Sequence, residues 1–354
     1  MTFAEASVSD DVLISVEGKL GRIRLNRPKA IHALNADMCA AMLDAIQLWA
    51  ADPAVEAILI DHAEGRGFCA GGDIRMLAES GASDGAEARD FFRLEYQLNH
   101  KLFTCAKPII AFMDGITMGG GVGISQPAKY RVATENTKFA MPETGIGLFP
   151  DVGGGWYLAR LPGRMGEYLA LTGARLDGAE CLALGLATHY VPSDRLEEVK
   201  RAIGAMPAEA QAIIADYATA TSRANILDHK AEIDRLFAAD TLEEILAGLE
   251  ADAGEWATAQ LATLATKSPQ AMKVSLKLVR DGRYMDSFEQ EMAQEFAVAS
   301  RVVQRHDFIE GVRALIVDKD NAPRWNPASP EGVTDHVIDQ IFAPLSEDEA
   351  WVPA

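Results

Sequence analysis

The sequence predicts an α/β fold with parallel strand pairing. Short apolar runs such as VEAILID (55–61) and PIIAFM (108–113) are typical of buried strands, and each leads into a glycine-rich segment and then a helical pattern. From about Met165 the chain changes to successive helices rich in alanine, leucine and glutamate, with one further strand near 189–191. We therefore predict an α/β core over residues 1–205 and a helical C-terminal region over residues 206–354.

The individual elements follow in order. VLISVEG and GRIRLNRP alternate β-branched with polar residues on either side of a short turn, which predicts two strands. Asn35 or Asp37 can cap a helix over 38–51. A longer amphipathic helix is predicted over 86–104, and a short helix follows the glycines at 118–123 until Pro127 ends it. YRVAT (130–134) and KFAMP (138–142) predict two more strands.

Composition excludes several classes of protein. The 354 residues are 49% hydrophobic and 24% charged, with a net charge of −19, which is typical of a soluble globular protein and unfavourable for nucleic acid as a partner. The acidic amino terminus lacks the pattern of a signal peptide, and no apolar run approaches the roughly 20 residues of a membrane span. Four cysteines without CxxC spacing suit a reducing compartment, so we expect a cytoplasmic location and no membrane contact.

Motifs for common cofactors are absent from the sequence. There is no GxGxxG after the first strand, no GxxxxGK, no GxSxG and no HExxH. We therefore expect no metal and no dinucleotide cofactor.

Two glycine-rich turns remain, CAGGD (69–73) and MGGGVG (118–123), each after a strand and before a helix. Backbone N–H groups at such places can hold an anionic oxygen, because the helix dipole adds to donors without a helical partner. One N–H from each turn aimed at one carbonyl oxygen would form an oxyanion hole for ester or thioester chemistry. The alternative is a pair of tight packing turns.

Five segments in order resemble the signature blocks of the enoyl-CoA hydratase/isomerase, or crotonase, superfamily. They cover roughly residues 10 to 195 and read LNRPKAIHALN (25–35), GFCAGGDI (67–74), KPIIAFMDGITMGGGVGI (107–124), FAMPETGIGLFPDVGGG (139–155) and LTGARLDGAECLALGLATHYV (171–191). The resemblance implies a ClpP/crotonase spiral of ββα turns with a helical C-terminal region. It also implies an acyl-CoA thioester substrate, no cofactor apart from the CoA carried by that substrate, and a possible homo-oligomer, either a trimer or a hexamer.

The same resemblance assigns binding residues. It implies that the N–H groups of Gly72 and Gly120 hold the thioester carbonyl, and that the CoA nucleotide lies along Arg27, Lys29, Ala30 and the backbone of Gly72. Lys319 is a further candidate for phosphate contact. The alternatives are a solvated turn for Arg27 and Lys29, and a plain surface charge for Lys319.

The chain departs from typical hydratases at one of their two catalytic glutamates. That position is Gly123 here, whereas the second glutamate is kept as Glu143 and a new acid, Asp151, follows it. With HDFIEGVRALIVDKDNAPRW (306–325), this pattern is similar to the 3-hydroxyisobutyryl-CoA hydrolase branch. The resemblance implies hydrolysis of a short 3-hydroxyacyl-CoA thioester, 3-hydroxyisobutyryl-CoA first among them, as in valine catabolism.

The implied roles are chemically coherent. Glu143 attacks the thioester or activates water, and the sequence leaves both routes open. Asp151 positions the substrate hydroxyl or the water and shares proton transfer with Glu143, since two neighbouring carboxylates push one pKa upward. Glu95 matches a substrate-contacting glutamate of the branch. The alternatives are a solvated helix face for Glu95 and a helix cap near Gly154 for Asp151.

Two other functions stay open. One is an enoyl-CoA hydratase or isomerase that uses Glu143 as its single base, and the absence of an acid at Gly123 weighs more against the hydratase than the isomerase. The other is a non-catalytic CoA-binding or interaction protein, which the retained Glu143 and Asp151 disfavour.

Overall fold

A computed structural model describes residues 10–354, which fall into two compact units. The sheet unit comprises residues 10–72, Leu94–Ala140 and Arg175–Leu227, and the helical unit comprises Asp73–Arg93, Met141–Ala174 and Asp228–Ala354. The first nine residues, which entered the prediction about a signal peptide, lie outside the described part. The predicted boundary between residues 205 and 206 stays a prediction about folding domains.

All strands in the described range belong to the sheet unit and form two sheets. The larger sheet has the order β1-β2-β3-β5-β7-β9, in which β1 and β2 pair antiparallel and every later pair is parallel. The smaller sheet, β4-β6-β8, is parallel throughout. The strands are β1 Val12–Glu17, β2 Leu20–Leu25, β3 Ala57–His62, β4 Gly67–Cys69, β5 Ile109–Met113, β6 Ile116–Met118, β7 Tyr130–Ala133, β8 Lys138–Ala140 and β9 His189–Tyr190.

The sequence pattern found the strands of the larger sheet and missed two strands of the smaller one. The predicted pair of strands at the start of the chain, the parallel pairing and the strands at 55–61, 108–113 and 189–191 are confirmed. β4 and β6 were read as loop. Each has only three residues and lies inside a glycine-rich stretch, whereas β8, which is as short, begins the apolar run KFAMP.

Helices fill most of the remaining chain. They are α1 Ala36–Ala51, α2 Ile74–Gly81, α3 Ala86–Thr104, α4 Gly120–Ser125, α5 Gly154–Ala159, α6 Met165–Thr172, α7 Gly178–Ala183, α8 Leu196–Ala205, α9 Ala210–Tyr217, α10 Lys230–Leu236, α11 Leu242–Asp252, α12 Glu255–Leu264, α13 Pro269–Gly282, α14 Phe288–Val302, α15 His306–Val312 and α16 Asp335–Phe342. Short 3-10 turns occur at Pro28–Ala30, Glu143–Ile146, Ser193–Arg195, Pro207–Glu209, Asn225–His229 and Pro330–Gly332, and a π turn at Arg313–Val317. None of the described helices is both long and apolar enough to cross a membrane.

The core of the sheet unit lies between the larger sheet and helices α8 and α9. Leu59, Ile110 and Val132 project from three strands and are fully buried against Val199 and Ile214 of these helices. Side chains of this size stabilise a fold by roughly 1.5–3 kcal/mol each when buried. This core holds the strands of the larger sheet, whereas the two glycine turns follow β4 and β6 of the smaller sheet.

In the helical unit, α13 packs against α5 and α6. Ser268 caps α13 by accepting a hydrogen bond from the N–H of Ala271, and Pro269 occupies its first turn, as the sequence rules for helix starts require. Glycines permit the close approach, because a Cβ on Gly282 would lie 2.5 Å from the carbonyl oxygen of Gly155. The segment that carries Asp151 is therefore held against a buried helix.

Candidate active site

The two glycine turns come together in the sheet unit. A Cβ on Gly71 would lie 3.9 Å from the backbone nitrogen of Gly120, and a Cβ on Gly121 would lie 2.4 Å from the carbonyl oxygen of Cys69. Gly120 begins α4, so its N–H has no acceptor within the helix. Across residues 10–354, the N–H groups of Gly72 and Gly120 donate to no other group. Two available donors on adjoining turns are the arrangement that an oxyanion hole requires.

Glu95 lies beside this pair. It is on α3, with 2% of its surface exposed, and a Cβ on Gly120 would be 2.7 Å from its Oε1. A solvated helix face is therefore wrong for Glu95. Its carboxylate also raises the pKa values of the buried thiols of Cys39 and Cys69, which burial itself raises first. The structure thus brings Glu95 to the Gly120 end of the predicted oxyanion hole.

The predicted CoA-nucleotide turn is organised by a residue that the sequence analysis missed, His32. Its Nδ1 accepts the N–H of Arg27 at 2.9 Å, and its Nε2 lies 2.8 Å from the carbonyl oxygen of Glu64. His32 is fully buried with φ of 55°, and burial lowers the pKa of its imidazole. The neutral ring therefore ties the turn to the chain after β3. A histidine within a turn motif was the signal available in the sequence.

The predicted CoA-binding residues on that turn differ in their exposure to solvent. Lys29 is exposed, and Ala30 is partly exposed at the end of the Pro28–Ala30 turn. Arg27 donates from Nη1 to the carbonyl oxygen of Ala33 at 3.0 Å, and its Nε lies 3.8 Å from Asp11. These contacts hold Arg27, whose side chain is 28% exposed, and Lys29 is the more exposed of the two cations on this turn.

Glu143 is held in the helical unit by the Glu143–Ile146 turn. The carbonyl oxygen of Thr144 accepts the N–H of Ser268 at 3.0 Å, and the Thr144 hydroxyl donates to the carbonyl oxygen of Leu171 at 3.1 Å. A Cβ on Gly147 would lie 2.2 Å from the carbonyl oxygen of Asp307, so α15 closes directly on the turn. The backbone under Glu143 is therefore fixed by hydrogen bonds and close packing.

One oxygen of the Glu143 carboxyl, Oε2, has no hydrogen-bond partner among residues 10–354. The residue is 5% exposed. Burial raises the pKa of Glu143 well above its ordinary value, and the charge of Asp151 raises it further. Lys267 opposes this and lowers the pKa. Lys267 is a neighbour that the sequence analysis did not foresee. A buried acid with an open oxygen and a raised pKa is suited to proton transfer or attack on a bound group.

Asp151 is buried in a strained turn that leads into α5. Val152 follows it at φ 55° and Gly153 at φ 89°, and a left-handed conformation is costly for a β-branched side chain. The N-cap of α5 is Gly153, and no side-chain cap is formed from that position. Two N–H groups at the start of α5 go to Glu295, whose Oε2 accepts from Gly153 N at 2.7 Å and whose Oε1 accepts from Gly155 N at 3.1 Å. The backbone carbonyl of Asp151 accepts from Gly154 N at 2.8 Å, so at the other two groups Glu295 takes the place of a side-chain cap by Asp151.

Glu291 and Glu295 are buried acids that the sequence analysis also missed. Both lie on α14 and are fully buried. The signal was present, because Phe288, Met292 and Phe296 form an apolar stripe at helical spacing and both glutamates fall within it. Acids on the buried stripe of an amphipathic helix are rare without a specific partner.

Lys319, the remaining candidate for phosphate contact, is an exposed residue of the helical unit at φ 57°. Its carbonyl oxygen accepts from Asn321 Nδ2 at 3.2 Å. The structure gives its side chain no contact that marks a binding role.

The fold and the glycine turns define a class of protein. The chain belongs to the enoyl-CoA hydratase/isomerase family, whose sequence pattern matches residues 20–342. Its strands and helices form the crotonase fold, which confirms the predicted fold class.

Individual relatives are similar over nearly the whole chain. A mitochondrial 3-hydroxyisobutyryl-CoA hydrolase of Gallus gallus is 42% identical, with 96% of this chain and 90% of that protein covered. The crystal structure of a carnitinyl-CoA dehydratase from Mycobacterium thermoresistibile has a TM-score of 0.92 at 40% identity, over 96% of this chain and 98% of the other. An enoyl-CoA hydratase from Rhodobacter sphaeroides 2.4.1 has a TM-score of 0.90 at 39% identity, over 97% and 99%.

Proposed function

We propose that this protein hydrolyses short 3-hydroxyacyl-CoA thioesters, with 3-hydroxyisobutyryl-CoA as the preferred substrate. The observation that carries the proposal is the pair of buried carboxylates, Glu143 and Asp151, which interact electrostatically. A hydratase of the typical kind would instead pair Glu143 with an acid at position 123, which is glycine here. The name of the Gallus gallus relative supports the same substrate.

The proposed chemistry assigns one task to each group. The N–H groups of Gly72 and Gly120 stabilise the negative charge on the thioester oxygen. In one route Glu143 attacks the carbonyl carbon and expels CoA, and water then hydrolyses the resulting acyl–glutamyl anhydride. In the other, Glu143 takes a proton from the water that attacks the carbonyl directly; in both, CoA leaves as the thiol and the free acid is released. Asp151 orients the substrate hydroxyl or the water and exchanges protons with Glu143. The oxygen of Glu143 that has no partner is the atom available for this step.

Enoyl-CoA hydration is the second candidate. It is favoured by the two similar crystal structures, which are of proteins named as a dehydratase and a hydratase. Their sequence identity to this chain is about the same as that of the Gallus gallus hydrolase. Gly123 weighs against it, because glycine cannot supply the second proton-transfer group that syn addition of water uses in typical hydratases.

One experiment separates the candidates. The purified protein is mixed with 3-hydroxyisobutyryl-CoA, and free thiol is followed with a chromogenic disulfide while crotonyl-CoA absorbance is followed in parallel. We expect thiol release from the first substrate and an unchanged enoyl band from the second. Loss of the enoyl band without thiol release would replace the hydrolase by a hydratase, and inactivity in both assays would favour a non-catalytic CoA-binding protein.

Four further proposals accompany this one. CoA enters as part of the substrate and no other cofactor is needed, so dialysis against a chelator should leave the rate unchanged. Arg27, Lys29, Ala30 and Lys319 are proposed to contact CoA, and a homo-oligomer is proposed by analogy with the family, to be measured by light scattering. The cytoplasmic location stays a prediction, although the Gallus gallus relative is called mitochondrial, and cell fractionation tests it.

A further inference from the structure

The glycine run after Asp151 receives a side chain from another helix. Glu295 of α14 is fully buried, and its two carboxyl oxygens accept the N–H groups of Gly153 and Gly155 at 2.7 and 3.1 Å. These N–H groups lie at the start of α5, where the helix itself supplies no acceptor. Glu295 therefore accepts two of the N–H groups at the start of α5, and the backbone carbonyl of Asp151 accepts a third, that of Gly154, at 2.8 Å.

The hydrogen bonds to Glu295 hold a backbone conformation that the turn would not adopt by itself. Val152 and Gly153 are consecutive residues in the left-handed region, and Val152 is β-branched. Asp151 directly precedes them, so the direction of its side chain depends on this turn. A rotation of the peptide at Val152 would redirect the carboxylate of Asp151.

The glycines are explained by the same contact. A Cβ on Gly155 would lie 2.0 Å from Oε1 of Glu291, and a Cβ on Gly153 would lie 2.8 Å from the ring of Phe288. Side chains at these positions would push α14 away and withdraw Glu295 from the N–H groups. The run GGG thus allows α14 to approach the turn.

Electrostatics couples the same carboxyl to the candidate site. Burial and the neighbouring Glu291 raise the pKa of Glu295, Asp151 raises it further, and the hydrogen bonds from Gly153 and Gly155 lower it. Burial raises the pKa of Glu291 to about 8. Both carboxyl groups of α14 therefore favour the protonated form more than an exposed glutamate does.

We propose that Glu295 is a positioning residue for Asp151: its two hydrogen bonds to Gly153 and Gly155 fix the turn that aims the Asp151 carboxylate. The proposal rests on the proposed function insofar as Asp151 acts in thioester hydrolysis. It goes beyond that function by assigning a task to a third carboxyl, on α14.

The test is Glu295→Gln, with Glu289→Gln as the control because Glu289 is an exposed acid on the same helix. The amide keeps one acceptor and turns a donor toward the other N–H, so one hydrogen bond to the turn is lost. Per folded molecule, we expect kcat for CoA release to fall about 10- to 100-fold, with KM changed less than about 3-fold. In combination with Asp151→Asn, the second substitution should cost less than about 2-fold, because both act through one carboxylate.

A second readout does not depend on activity. Amide hydrogen exchange of a peptide covering residues 151–159 should accelerate in Glu295→Gln and stay unchanged in Glu289→Gln. If Glu295→Gln does not fold, Glu295→Asp, which withdraws the carboxylate by one methylene, carries the same expectations.

The outcomes separate the two proposals. A wild-type protein that releases CoA and a Glu295→Gln variant with wild-type kcat would overturn the positioning role. Multiplicative losses in the double variant would also overturn it, since they would show a general loss of structure. A wild-type protein without CoA release would overturn the proposed function, and the exchange measurement would still decide whether Glu295 holds the turn.

Discussion

Glycine runs occur in both units, and they differ in what they admit. In the sheet unit, Gly71, Gly120 and Gly121 bring two stretches of backbone together, so that the nearest atoms to an added Cβ include backbone atoms of the opposite turn. In the helical unit, Gly153 and Gly155 admit side chains, namely the ring of Phe288 and the carboxyl of Glu291. The sequence motifs look alike. In the sheet unit the glycines leave N–H groups without acceptors, whereas in the helical unit side chains pack around them.

The difference shows in where the N–H groups go. Those of Gly72 and Gly120 have no acceptor within residues 10–354, whereas those of Gly153 and Gly155 are taken by Glu295. Available donors in a preorganised turn can stabilise a developing negative charge, and occupied donors can only hold structure. The comparison assigns ligand binding to the first run and support of Asp151 to the second.

The largest effect should come from Glu143→Gln in the helical unit. The amide cannot attack or accept a proton, so kcat for CoA release should fall about 1,000-fold, while KM changes little because the sheet unit is untouched. Steady-state thiol release measures both constants, and Glu289→Gln serves as the control. A Glu143→Gln variant with near-normal turnover would remove Glu143 from the chemistry.

Gly120→Ala tests the sheet unit. The new methyl group would lie 2.7 Å from Glu95 Oε1 and 3.2 Å from the carbonyl carbon of Gly71, so it obstructs the donor pair. We expect kcat to fall about 100-fold, the usual cost of one oxyanion-hole donor.

Gly204→Ala is the matched control for this variant. Gly204 lies in α8 of the same unit, and an added Cβ there meets nothing within 4 Å. It should leave kcat unchanged and raise the free energy of unfolding by about 0.5–1 kcal/mol. Equal activity of the two alanine variants would contradict the assignment of donor function to Gly120.

The coupling between the two acids of the helical unit predicts a pH effect. Burial first, and then the charge of Asp151, raise the pKa of Glu143. In Asp151→Asn the second cause is removed, so the acidic limb of kcat/KM for the residual activity should move to lower pH. A pH profile of wild type and variant measures the shift. An unmoved limb would show that Glu143 does not titrate in the rate.

The smallest effect concerns stability and not turnover. Burial raises the pKa of Glu291 from 4.5 to about 8, so the folded protein keeps a proton that the unfolded chain releases between these values. Its contribution to stability is full below the unfolded pKa and is lost as the pH rises to the folded pKa. Glu291→Gln should remove this loss, because the amide does not titrate between these pH values.

The measurement is urea unfolding of wild type and Glu291→Gln at about pH 5 and about pH 8. Between the lower and the higher pH, the free energy of unfolding of the variant should rise by about 2 kcal/mol relative to that of the wild type. This is less than the full pKa shift would give, because Glu291 and Glu295 interact. The exposed Glu289→Gln variant should show no such rise. Parallel pH dependence of the wild type and Glu291→Gln would show that Glu291 titrates normally.

Local signals predicted the elements whose cause is local. The Asn35 cap of α1 was one of the two predicted, and α3 begins and ends at the predicted residues. The two glycine turns were predicted from their position between a strand and a helix. In the sheet unit the two turns lie next to each other, as the predicted pair of N–H donors requires. By contrast, β4 and β6 lie inside glycine-rich stretches that read as loop. Helical periodicity left a solvated face open for Glu95, because it does not show what packs above a face.

The sequence by itself determined the fold class, the glycine turns and the presence of Glu143 and Asp151, because strand patterns, turn glycines and motif spacing are read within short stretches of chain. Only the tertiary structure decided which neighbours those groups have. Lys267 lies close enough to lower the pKa of Glu143. Glu295 accepts the N–H groups of Gly153 and Gly155, which are 142 and 140 residues away from it in the sequence. Contacts of this kind depend on which helices pack together, and no pattern within either segment encodes them.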